Sequence, residues 1–436
     1  MKTMRKWFAL AMALACVAGA FAAHAGVRIE HWTAHTGARV YFVESRGLPI
    51  LDLHVDFPAG SAYDPPGRMG LARLTRGLME AGAAGIDEET LAARLVDAGA
   101  RLSGSTELDR AGFSLRTLSS APEREAALEV LSAILQKPEF PAAAIERERA
   151  QMIAGIEEGD TRPDVIGAKR FNREIFPDHP YGASATAPSV AAIAREDLAG
   201  FHRARYAAPS AVVTIVGDVS RAEAEAIAAR LTAELPAQGA AEEMPPQTMP
   251  KRQTVRIDHP ATQSHVFMGL PGMSREDPDY FPLLVGNHVL GGGGFVSWLM
   301  QEVREKRGFA YSIYSYFQPM RQPGPFQIGL QTRRDQTAEA LKVVEATLRR
   351  FLDEGPSEED VRRAKQNLAD GFALRLDSNR KILGYVSMIG FYRLPLDFLD
   401  QYPRRVRAVT RAQIRDAFAR RVKPENLVTV IVAGGS

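Results

Sequence analysis

The sequence predicts an α+β protein made of two duplicated domains joined by a linker. Its 436 residues exceed what one ordinary hydrophobic core organises. Three separated segments also recur at a nearly constant offset. PSAVVTIVG at 209–217 is echoed at 424–434, 126–131 is echoed at 339–344, and a helix carrying Ile145, Arg149 and Ile153 is echoed by Val361, Lys365 and Ala369. The offset stays between 213 and 216, which chance similarity would not maintain, and a repeat this long is a domain duplication rather than a solenoid period.

Residues 27–57 read as strands around a turn at Thr36-Gly37, and Pro65, Pro66 and Gly67 end them. Helices follow at 69–81 and 87–98, the second with Glu88 and Glu89 placed favourably against the helix dipole. Residues 101–118 alternate as strand. Helices are predicted at 122–135 and 142–156, resuming after Pro163 toward Phe176, and 178–182 form a turn cluster. A helix at 196–205, a buried strand at 211–217 and a helix at 221–235 complete the half. Pro236, Gly239, Pro245, Pro246 and Pro250 mark 236–252 as an exposed linker between domains at 26–235 and 253–436.

Composition places the chain among globular proteins, with 45% hydrophobic and 24% charged residues. Residues 1–25 put Lys2, Arg5 and Lys6 ahead of an apolar run ending in Ala23-His24-Ala25, a signal peptide with a predicted cut before Gly26 and export to the periplasm or medium. Cys16, the only cysteine, falls inside that run; lipidation there would need an aliphatic residue where Ala13 stands. The mature chain therefore has neither disulfides nor thiolate zinc sites. Losing three leader cations leaves 51 basic against 52 acidic residues, a net of −1, which points to no nucleic acid and no anionic membrane as partner. No later segment has the apolar length of a membrane span.

Residues 291–311, GGGGFVSWLMQEVREKRGFAY, read as a glycine run feeding an amphipathic helix, a basic turn and an aromatic-rich strand. Arg304 lies late on that helix and Tyr311 near the start of the strand. A tight turn at Gly308 would bring guanidinium and phenol to one surface, and each donates hydrogen bonds to an oxygen gaining negative charge. Taken alone, the spacing more often describes a solvated arginine and a packed tyrosine. The glycine run lacks a following Lys-Ser/Thr or a Rossmann acid, so it reads as a tight helix entry rather than a phosphate loop.

The two halves, the Arg304-Glu305-Lys306-Arg307-Gly308 turn after a glycine run, and Gly70-Leu71-Ala72 opening the first long helix together resemble the M16 family (insulinase, pitrilysin, mitochondrial processing peptidase) over essentially the whole mature chain. The resemblance implies two α/β sandwich domains of the LuxS/MPP-like metallohydrolase kind, paired to enclose a peptide chamber. Active members carry His-x-x-Glu-His after the Gly-Leu-Ala-like segment, the histidines binding zinc and the glutamate serving as base, with a further glutamate about 75 residues on. Here those five positions read Arg73-Leu74-Thr75-Arg76-Gly77, and Ala154 and Gly155 stand where the third ligand belongs. No metal and no cofactor is expected in this chain. His31 and His35 lie in strand-and-turn text with Ala34 where a base is needed, His179 reads as structural, and Glu157 and Glu158 read as a solvated helix face.

Within the family, the second-domain pair matched by Arg304 and Tyr311 is implied to hydrogen-bond the carbonyl under attack. In some bacterial members one polypeptide keeps the zinc motif and another keeps this pair. The resemblance therefore implies a non-zinc subunit of an exported heterodimeric zinc metalloendopeptidase, with catalytic Arg304 and Tyr311 acting in trans, zinc in a His-x-x-Glu-His partner, and a peptide or unfolded protein as substrate. A competing reading is a purely structural or peptide-binding subunit in which both side chains are architectural. A third, an independent peptidase, would require an unrecognised site.

Overall fold

The computed structural model describes residues 27–241 and 243–434; the expected leader, its cut before Gly26 and Cys16 lie outside the described residues. The first half contains β1 (Glu30–Thr33), β2 (Arg39–Glu44), β3 (Ile50–Phe57), a short hairpin β4 (Gly82–Ala83) and β5 (Ile86–Asp87), β6 (Arg101–Thr106), β7 (Ala111–Leu118) and β8 (Val212–Gly217). Its helices are α1 (Leu71–Leu78), α2 (Glu88–Asp97), α3 (Ala121–Gln136), α4 (Ala142–Gly159), α5 (Pro163–Ile175), α6 (Ala187–Ala191), α7 (Arg195–Arg205) and α8 (Arg221–Thr232). The second half adds β9 (Gln253–Asp258), β10 (Gln263–Met273), β11 (Ala310–Phe317), β12 (Gly324–Arg333) and β13 (Val428–Ala433). Its helices are α9 (Tyr280–Asn287), α10 (Thr337–Glu354), α11 (Glu358–Asp370), α12 (Asn379–Phe391), α13 (Phe398–Ala408) and α14 (Arg411–Arg421).

The duplication is visible in the sheets. One runs β1-β2-β8-β3-β7-β6 and the other β9-β13-β10-β12-β11, so the second repeats the first without β1. In each, the late strand enters parallel to one neighbour, β8 to β2 and β13 to β9, and antiparallel to the other. The sequence expected one strand over 101–118. The structure makes a hairpin there, because Glu107 N–H donates to the Arg110 carbonyl at 2.8 Å and turns the chain.

The apolar runs in β8 and β13 have no polar alternation because both faces of these strands are covered. On one face of β8, Val213 and Ile215 pack with helices of the same half. On the other, Val212 and Val216 pack with Val386 and Ile389 of α12, a helix of the second half. The reciprocal arrangement holds at β13, where Val428, Val430 and Val432 cover Phe171 and Ile175 of α5 from the first half. Each half thus lends one helix to the other's sheet.

Close approach depends on glycine at both crossings. A Cβ on Gly167 of α5 would lie 2.3 Å from the Phe267 ring, and one on Gly390 of α12 would lie 2.7 Å from the Tyr41 ring. Arg39 also donates to the Gly390 carbonyl at 2.8 Å. Gly167→Val and Gly390→Val are each expected to cost about 1–3 kcal/mol by overpacking. Because the helices are exchanged, calorimetry of either variant should show one transition moved to lower temperature. Two separate transitions would contradict the exchanged core.

Candidate functional site

Helix α1 carries the five positions where the zinc motif was sought. Asp64, buried, accepts from the Gly70 and Ala72 backbone N–H groups at 2.7 Å each and caps the helix, while Gly70 takes φ +106°, a conformation that favours glycine. Leu74 and Thr75 face the core and Arg73 faces solvent. Arg76 turns inward: its Nη1 donates to Glu80 at 2.7 Å, one helical turn on, and its guanidinium lies 5.8 Å from the Phe113 ring centroid. Burial pushes the Glu80 carboxyl above its ordinary range, against the pull of Arg76.

This donor set does not fit zinc. Guanidinium groups have no lone pair to give, Ala154 and Gly155 on α4 offer no ligand atom, and their positions are exposed. Among the described residues no group of three or more His, Cys, Asp or Glu side chains is placed to hold a metal. The other candidates have structural partners. His31 Nδ1 lies 2.9 Å from the Val40 carbonyl and its ring stacks on Tyr41. His179 Nδ1 accepts from Tyr181 N–H at 3.1 Å, so its Nε2 donates to Gln322 across the boundary between halves. Glu157 and Glu158 are exposed.

Arg76 fits only because β6 has a glycine opposite it. A Cβ on Gly104 would stand 2.1 Å from Arg76 Nη1 and 2.6 Å from its Cδ. Gly104→Ala is therefore expected to expel the guanidinium and lower the unfolding midpoint, by about 1–3 kcal/mol equivalent. Gly104→Ala combined with Arg76→Ala should recover most of that loss, and thermal unfolding of the two proteins checks it.

The stretch from 288 to 317 departs from the expected regular helix. It is built of two π-helical turns, His288–Gly292 and Met300–Glu305, with a 3-10 turn Gly294–Val296 between them, and then β11. The Lys306 N–H reaches back to Gln301, a five-residue step. Buried Leu299 and Val303 anchor the second turn. Gly308 then takes φ +64° and donates to the Arg304 carbonyl at 2.8 Å, which reverses the chain into the strand.

This geometry brings Arg304 and Tyr311 together. The Arg304 guanidinium carbon lies 5.2 Å from the Tyr311 ring centroid and 4.6 Å from that of Phe295. Tyr311 is 85% exposed. Glu302 takes the neighbouring cations: it accepts from Lys306 at 2.9 Å and from Arg307 at 2.8 Å, and those bonds, Lys306 first, hold its carboxyl below the usual range. Among the described residues Arg304 approaches only one carboxylate, loosely, Glu305 at 3.7 Å. Both Arg304 and Tyr311 line a cleft of about 630 Å³.

Comparison with known proteins gives this arrangement a family. Residues 41–189 match the model described as insulinase (peptidase family M16), and residues 192–368 match the one described as peptidase M16 inactive domain. The chain belongs to peptidase family M16. It is 24% identical to the non-peptidase homolog YmxG of Helicobacter pylori, over 90% of this chain and 91% of that one. It is 28% identical to an uncharacterized zinc protease of Mycobacterium leprae, over 66% of each. Among solved structures, a peptidase M16 inactive domain from Pseudomonas fluorescens superposes with a TM-score of 0.90 at 36% identity, covering 94% of this chain and 98% of that one.

Within this M16 chain, sequence reasoning missed three side chains that shape the two sites. Phe295 reaches Arg304 through a 3-10 turn that no periodicity announces. Glu302 and Glu80 were detectable, since each stands four residues from its cation, Lys306 or Arg76. The pH dependence follows from Glu302: its folded pKa is depressed, so its contribution is present above the unfolded value near 4.3 and is lost as pH falls through the folded value. Glu302→Gln is expected to lower stability by up to about 1 kcal/mol at neutral pH and by nothing in strong acid. Thermal melts of both proteins across that range measure the difference.

Proposed function

We propose that this chain is the non-zinc subunit of an exported heterodimeric M16-type zinc metalloendopeptidase, supplying Arg304 and Tyr311 in trans. The observation that carries the proposal is the asymmetry between halves. On α1 a guanidinium is locked to Glu80, whereas Arg304 stands beside an exposed phenol at an open cleft, with its neighbouring cations held by Glu302. Arg304 N–H groups and the Tyr311 hydroxyl then donate to the carbonyl oxygen of a peptide as negative charge builds on it, while the zinc-bearing partner supplies the hydrolytic chemistry. The match to an inactive M16 domain and the YmxG likeness support the absence of zinc here. PqqL of Escherichia coli, a periplasmic protease, shares the fold at a TM-score of 0.78 and 15% identity, in keeping with the proposed export.

The purely structural reading is favoured by one observation, the description of that relative as a non-peptidase homolog. Reconstitution separates the two. The chain alone is expected to bind no zinc and cleave no peptide, and to raise cleavage when mixed with an exported M16 chain bearing His-x-x-Glu-His. Loss of one such donor costs about 100- to 1,000-fold in kcat elsewhere. Arg304→Ala and Tyr311→Phe should therefore remove most of the gain while co-purification with the partner persists. Full activity of both variants in the complex would sink the trans-donor assignment.

A further inference from the structure

The cleft beside Arg304 has a shape that the donor role alone does not require. Seven consecutive residues of β11, from 311 to 317, line it. Successive side chains of a strand point to opposite faces, so a cavity touching all seven lies along the strand's edge rather than on one face. No strand among the described residues covers that edge: β11 is the last strand of its sheet and pairs there only with β12. One of its carbonyls is already addressed from this side, since Asn287 Nδ2 donates to the Ser315 oxygen at 3.0 Å, while Ser315 Oγ donates back to Asn287 Oδ1 at 2.7 Å. The Asn287 contact limits any added strand to the part of β11 before Ser315, next to Tyr311.

The remaining walls are apolar. Met273, Leu284, Met300 and Ile313 contribute to them, with Tyr280 beside these. At the mouth, Phe295 is 62% exposed and Tyr314 42%, an arrangement a monomer does not gain by leaving in water. The π-helical turns create the space: a Cβ on Gly291 would meet the Ser315 backbone nitrogen at 2.6 Å, so the glycine lets the wall close on the end of the usable edge.

We infer that this cleft binds an extended peptide segment as an added strand along residues 311–314 of β11, with one bulky apolar or aromatic side chain of the peptide seated among Leu284, Met300 and Ile313. Main-chain hydrogen bonds to that edge supply affinity without regard to sequence, and the cavity supplies the side-chain preference. This rests on the trans-donor reading only for where the scissile bond lies; the cleft itself belongs to this chain. Arg304 and Tyr311 then meet the peptide beside the seated residue, which makes Leu284, Met300 and Ile313 specificity-determining.

The experiment uses the whole isolated chain and fluorescein-labelled dodecapeptides of alternating Ser and Thr that differ only in one central residue, Phe, Ala or Glu. Fluorescence anisotropy is expected to give the Phe peptide at least tenfold tighter binding than the other two. Ser312→Trp, at an exposed position lining the cleft, should weaken the Phe peptide about tenfold at an unchanged melting temperature. Single backbone N-methylations of the Phe peptide should weaken binding at alternate positions only. Equal binding of the three peptides, or loss that ignores the alternation, overturns the inference. If binding follows the pattern while Arg304→Ala leaves partnered cleavage intact, the cleft stands and the trans-donor reading fails.

Discussion

The exchange of α5 and α12 between the two sheets is the contact from which the rest of the molecule takes its geometry. A sheet whose central strand reads Val-Val-Thr-Ile-Val-Gly has two apolar faces, and helices of its own half cover one. Left open, the second face would set valines against water at about 25 cal/mol per Å². The helix from the opposite half closes it, and the duplication makes the same solution available twice. Glycine at Gly167 and Gly390 brings each helix within ring-contact distance of the other half. Neither half can move away from the other without exposing both cores.

Polar pins sit on that shared boundary and fix its register. Asp109, almost fully buried at the β6–β7 turn, accepts from Tyr181 of its own half and, at 3.0 and 2.8 Å, from the Tyr392 hydroxyl and Arg321 backbone N–H of the other. Burial and the neighbouring Asp109 carboxylate hold both tyrosines well above their ordinary range, so they stay donors at any physiological pH. Beside them Asp56 accepts from Ser387 and lies 3.4 Å from Arg110, whose guanidinium also donates to Ser387 at 3.0 Å. A buried carboxylate such as that of Asp109, with donors on both oxygens, specifies one orientation, since any other leaves it unpaired. The fixed boundary in turn fixes where the edges of the two sheets lie.

How much of this was legible in the sequence depends on what each signal encodes. The duplication was, because 209–217 and 424–434 are central strands buried on both faces and so keep the same apolar letters. Most helices were, down to α5 starting at Pro163, where proline suits the first turn. The helix exchange was not, because periodicity says that a face is apolar without saying which segment covers it. The β6–β7 turn was hidden because Glu107-Leu108-Asp109-Arg110 contains neither glycine nor proline, so residues 101–118 read as one strand. In the site, the Arg304–Tyr311 proximity was expected from the Gly308 turn. The π-helical path was not, since the Leu299–Val303 spacing fits either helix and only the extra residue per turn distinguishes them.

The duplication also makes each half a reference for the other. In the sheet orders, β6 of the first half and β11 of the second occupy the same outermost place, each beside a longer antiparallel neighbour. Beside β6 the chain is filled: Arg76 lies against Gly104 and is paired with Glu80, and the positions where metal ligands were expected hold cations or no ligand atom at all. Beside β11 the chain is open: glycines and π-helical turns leave a cleft, and Glu302 draws Lys306 and Arg307 aside while Arg304 remains at its mouth. One outermost strand thus has an internal ion pair packed against its face, and its counterpart borders a cleft with a cation and a phenol in place. A protein that needed only a shell would gain stability by burying Phe295 and Tyr311 as well, and their exposure is what the proposed donor role asks of the second half.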